Sequence, residues 1–95
     1  MIFAAMCHDK PGMLETRLAI RPTHLAYLNA HPTVVKAAGA LLGPDGAAAG
    51  SLLILDCADQ KAAETFCAGD PFAIAGLFGS VEVKPWRQAV GAPVG

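Results

Sequence analysis

The chain has 95 residues, 54% of them apolar, 16% charged, with a net charge of −1. That length suits a single domain, and that apolar content excludes a disordered chain, which cannot offset its ordering entropy by burial. Without a basic surplus there is no footprint for a nucleic-acid partner, and no apolar run reaches the ~20 residues that span a bilayer.

Ile2 to Cys7 is a short apolar run closed by Asp9-Lys10-Pro11-Gly12 and reads as a buried first strand followed by a loop. No Lys or Arg precedes it, and His8, Asp9 and Lys10 end it too early for a secretory core. Cys7, Cys57 and Cys67 are odd in number and form no CxxC pair, so the expected setting is a reducing cytoplasm.

Leu14, Leu18, Leu25 and Leu28 recur at helical spacing, which marks them as the buried face of a helical stretch from Leu14 to Ala30. Pro22 interrupts that stretch. The expected outcome is a short segment followed by a main helix from about Pro22, stopped by His31-Pro32. Val34 to Leu42 reads as a second strand, Gly43-Pro44-Asp45-Gly46 as a turn, and Ser51 to Cys57 as a central strand. Asp59 is placed to cap a second helix, with Ala62, Ala63, Phe66 and Cys67 on one face and Gly69 as a left-handed stop. Asp70-Pro71 and Gly76 bracket a single helical turn, and Leu77 to Trp86 forms the last strand.

The order β-α-β-β-α-β predicts an α+β, ferredoxin-like domain over residues 1–88, with a four-stranded antiparallel sheet and two helices on one face. Residues 89–95, rich in Gly, Pro and Ala, are expected to form a flexible tail. Residues such as Val34, Leu52 and Ile54 give the sheet a second apolar face, which calls for a cover, most simply a second copy of the chain as a homodimer.

Few side chains here are suited to chemistry. If the helix runs on from Leu14, then Arg17, Arg21, His24, Leu28 and His31 share one narrow stripe beside the leucines. Such a cationic, partly buried edge could receive a carboxylate or phenolate, whereas the plainer alternative is a solvated face with a tolerated histidine. Asp70 is either an N-cap or a carboxylate that orients a histidine from another element, and its few lone pairs limit how far it can be both. Ser51, at a strand start, could bond a ligand or simply begin its strand. Cys7 and His8 are neighbours on a strand and point to opposite faces, so they make no nucleophile–base pair. His24 and His31 lie seven residues apart, roughly 10 Å along a helix, too far to share one zinc ion. No metal site is expected.

Together, several segments resemble the YciI-like (YCII-related) family. They are Asp9-Lys10-Pro11-Gly12, Arg21-Pro22-x-His24-Leu25-x-Tyr27-Leu28, Gly50-Ser51-Leu52, Asp70-Pro71-Phe72 with Gly76-Leu77-Phe78, and Pro85-Trp86-Arg87. The resemblance runs from about Ile2 to Arg87. It implies a dimeric α+β barrel, related in fold to muconolactone isomerase, with two sheets packed face to face. The family's shared His and Asp fall on His24 and Asp70, and one branch resembles a dehydrochlorinase of a chlorinated hydroxyquinol that needs neither metal nor organic cofactor. The expectation that follows is a cofactor-independent lyase or isomerase acting on a small cyclic ligand. His24 and Asp70 would be catalytic, and Arg21 and Ser51 would bind substrate oxygens. The alternative is a non-catalytic module that binds a small ligand or a partner in the same dimer.

Overall fold

The computed structural model describes residues 1–94; Gly95, the last residue of the expected tail, lies outside them. The chain runs β1 (Ile2–Asp9), α1 (Leu14–Asn29), β2 (Val35–Leu42), β3 (Ala48–Asp56), α2 (Gln60–Ala68), α3 (Pro71–Ile74) and β4 (Phe78–Pro85). The four strands form one antiparallel sheet in the order β2-β3-β1-β4. The helices cover one face, which makes this a ferredoxin-like α+β fold. Among the described residues no helix is long and apolar enough to cross a membrane.

Strand alternation decides what faces the helices. The odd residues Phe3, Ala5 and Cys7 of β1 are fully buried, and their partners in register on β3 are Leu55, Leu53 and Ser51, also buried. Leu28 of α1 and Ala63 and Cys67 of α2 close over Phe3, Ala5, Leu53 and Leu55 to form the core. The inner face of the sheet is therefore apolar in its middle and turns polar toward Ser51 and the end of β1, where the same alternation brings Asp9 beneath α1. Ile2, Ala4, Met6 and Leu52 line the opposite, half-buried face.

Local signals account for the connections. Gly43 donates to the Ala47 carbonyl at 2.8 Å and Gly46 to the Gly43 carbonyl at 2.9 Å, closing the β2–β3 turn, with Gly46 at φ +83 as the glycine demands. Asp59 caps α2 by accepting from the Ala62 amide at 2.8 Å. Gly76 follows α3 at φ +74.

Three expectations fail. α1 is one continuous helix through Pro22, which sits on the exposed side while Arg17, His24 and Leu28 anchor the helix before and after it. The leucines are not its inner face: Leu14, Leu18 and Leu25 are 42%, 57% and 36% exposed, and only Leu28 is buried. Gly69 ends α2 at φ −83, outside the left-handed region. It is needed for space instead, because a Cβ there would stand 2.8 Å from the Tyr27 hydroxyl. After β4 the Gln88 amide donates to the carbonyls of Val90 and Ala92 at 2.9 and 2.6 Å and gathers the residues that follow it.

Candidate active site

Three of the four buried polar residues lie at one end of the helix–sheet layer, and Asp70 joins them from α3. Asp70 is fully buried and caps that helix, its Oδ1 accepting the Phe72 amide at 2.9 Å. The same oxygen lies 2.7 Å from His24 Nδ1, so the ring donates there. Cap and histidine partner are thus one atom, and the limit expected from lone-pair capacity does not apply. Asp70 Oδ2 is buried without a hydrogen-bond partner.

With its proton held on Nδ1, neutral His24 carries its basic lone pair on Nε2. His24 is 5% exposed and lines a cavity of about 130 Å³ together with Arg17, Arg21, Leu25, Ala38 and Phe72. The Phe72 ring stacks on the imidazole at 3.9 Å and 16°, fixing its plane. An imidazole oriented by a buried carboxylate and opening on a cavity is equipped to take or deliver a proton.

The sequence placed Arg17 in the cationic stripe but gave it no role of its own, and the structure makes it central. It is 4% exposed and points into the layer. Its Nη1 donates to Asp9 Oδ1 and Oδ2 at 2.9 and 3.0 Å, and its Nη2 donates to Ser51 Oγ at 2.7 Å. The guanidinium carbon lies 4.6 Å from the centroid of Phe72. The signal left unused was the period-two alternation that carries Asp9 inward after Cys7 and so gives the Arg17 of that stripe a buried partner.

The other singled-out residues fall into place around this centre. Arg21 is exposed at the cavity rim. Ser51 is 1% exposed and stands behind the wall, against Arg17. His8 and Cys7 point to opposite faces, one exposed and one buried. Burial pushes the Cys7 thiol up to about 12 and the Cys67 thiol up to about 11, with the Asp70 carboxylate adding to both shifts. Both are neutral and poorly nucleophilic near pH 7. His31 Nδ1 donates to the Tyr27 carbonyl at 2.8 Å, away from His24.

The sequence pattern of the YCII-related domain matches residues 1–87. Protein YciI of Escherichia coli O6:H1 is 34% identical over 100 aligned positions that span 93% of this chain and 98% of its own. Among solved structures, the 5-chloro-2-hydroxyhydroquinone dehydrochlorinase of Burkholderia phenoliruptrix AC1100, in complex with 2,5-dihydroxybenzoquinone, superimposes with a TM-score of 0.86 at 32% identity over 94% of this chain and 96% of that one. SnoaB, a cofactor-independent oxygenase from Streptomyces nogalater, shares the fold alone, with a TM-score of 0.58 at 15% identity over 96% of each chain.

Proposed function

The chain belongs to the YCII-related domain family, and from that membership and its site geometry we propose that it is a cofactor-independent lyase or isomerase acting on a small cyclic, anionic or phenolic substrate. The observation that carries this reading is the buried 2.7 Å bond from His24 Nδ1 to Asp70 Oδ1 beside a cavity that His24 lines. Nε2 takes a proton from a hydroxyl or an acidic carbon. Asp70 stabilises the imidazolium that forms and holds the ring to one tautomer. In an elimination, the electron pair released by the proton drives out a leaving group. In an isomerisation, Nε2–H returns the proton at another carbon.

Size and charge support a single-ring substrate. An apolar cavity of about 150 Å³ holds benzene, so about 130 Å³ is on the scale of a single ring. Phe72 offers it an aromatic wall, Arg21 a cation at the rim, and Ser51 a contribution through Arg17. The related dehydrochlorinase acts on a chlorinated, hydroxylated ring of this class. The proposal includes a homodimer in which a second copy covers the half-buried sheet face around Ala4, Met6 and Leu52, and residence in the cytoplasm, where three free thiols remain reduced.

The test is a substrate panel: chloride release from 5-chloro-2-hydroxyhydroquinone, and double-bond migration in enol lactones followed by ultraviolet absorbance. Turnover by the parent, lost in a folded His24→Ala variant, is the expected result. Parental rates in that variant would overturn the assignment. Retention of 2,5-dihydroxybenzoquinone with no turnover of any panel member would instead favour a binding module.

A further inference from the structure

Arg17 costs the fold more than an ordinary surface arginine does. A buried guanidinium must be paired and hydrogen-bonded to offset its lost hydration, and two buried or nearly buried groups, Asp9 and Ser51, are committed to that task. A leucine in its place would pack the layer without either of them. The same helix leaves Leu14 and Leu18 in solvent, so apolar side chains were at hand for the interior position.

The geometry shows what the charge is aimed at. A guanidinium carries five N–H groups in a fixed fork. Asp9 and Ser51 engage Nη1 and Nη2 only, so N–H groups remain free, and Arg17 lines the cavity that His24 lines. Residues 17 and 24 are separated by about 10 Å of helix rise, and the Phe72 ring fills that gap, in contact with the imidazole on one hand and the guanidinium on the other. Asp9 comes from β1, Ser51 from β3, and Phe72 from α3, so three elements hold one cation in place.

Resting on the active-site reading above, we propose that Arg17 is a substrate-binding residue that fixes an anionic oxygen of the ring at the end of the cavity away from His24, with Asp9 and Ser51 as its positioning residues. The site then requires a substrate that carries two features across one ring: an acidic proton presented to His24 Nε2 and a negative oxygen presented to Arg17. Arg21, exposed at the rim, guides the anion inward, whereas Arg17 sets its register. Ser51 acts through Arg17 and touches no substrate.

The experiment measures binding of two probes by calorimetry: 2,5-dihydroxybenzoquinone, an anion at neutral pH, and uncharged hydroquinone. The parent is expected to prefer the anion by at least tenfold. Arg17→Met alone would leave Asp9 as a lone buried charge, so the variant used is the pair Asp9→Asn with Arg17→Met, which removes both charges together. Its fold is checked by circular dichroism. The His24–Asp70 bond is checked by its downfield Nδ1 proton resonance, which a general loss of structure would erase. The preference for the anion is expected to vanish while that resonance persists. Arg17→Lys, which keeps the charge but not the fork, is expected to retain the fold and lose about tenfold in anion affinity. Parental preference in the folded double variant would overturn the role of Arg17 and leave the His24 reading standing. A parent that binds neither probe would overturn both.

Discussion

The two long helices lie on the same sheet and fill the space beneath them in opposite ways. α2 follows the ordinary rule: a capped start at Asp59 and small apolar side chains, Ala63 and Cys67, turned inward. α1 inverts it, with Arg17 and His24 turned inward and Leu14, Leu18 and Leu25 turned out. Its first residue also lacks a side-chain cap. Seen together, α2 is built to hold the sheet, whereas α1 sacrifices packing to place a cation and an imidazole against a cavity. Such local departures from the pattern expected of a stable helix concentrate at functional sites.

That contrast can be broken residue by residue. The largest effect is expected from His24→Ala, a loss of about 10²–10⁴ in turnover, the usual worth of general acid–base help, read in the panel assay with the fold verified by circular dichroism. Asp70→Asn comes next. Asparagine is also a good N-cap, so the melting temperature should change little. Turnover should fall by about 10–100-fold, matching the ~1.5–3 kcal/mol of a hydrogen bond to a charged group. On the α2 side, Ala63→Leu should overpack the core and cost about 1–3 kcal/mol in urea unfolding with the rate per folded molecule unchanged. Asp59→Ala should cost about 1 kcal/mol through loss of the cap, again without a kinetic effect. Smallest is Leu18→Ser on the outer face of α1, within about 0.5 kcal/mol of the parent; a loss of several kcal/mol there would show that α1 does bury its leucines.

The strands and turns were legible because their signals are short-range. Period-two alternation, the Gly-Pro-Asp-Gly turn and the Asp caps each act within a few residues. The interior of α1 was not, and Pro22 is the reason. Read as a break, it severs Arg17 from His24 and leaves the leucines as the only periodic feature. Continuity of the helix is settled by tertiary anchors, Arg17 on Asp9 and Ser51 before the proline and His24 on Asp70 after it, and these partners are distant in sequence. The pair His24 and Asp70 entered through family resemblance, since spacing alone left each with a plain structural role. Their proximity of 2.7 Å is a fact of the fold; what it does for a substrate is the proposal. Gly69 failed for a simpler cause: its signal was read as backbone freedom, while its use is clearance for Tyr27.

The short helix α3 bears on how this protein can change over generations. Asp70 Oδ1 accepts from the Phe72 amide and from His24, and the Phe72 ring lies flat on that same imidazole. Two residues of one turn and one residue of α1 thus form a closed circuit in which each member fixes the other two. No single replacement inside the circuit leaves the remaining pair as it was, so drift there is confined to coordinated changes. Arg21, Leu25 and Ala38 border the cavity but stand outside the circuit. They are the positions at which the lining of the cavity can change while the circuit itself stays inherited.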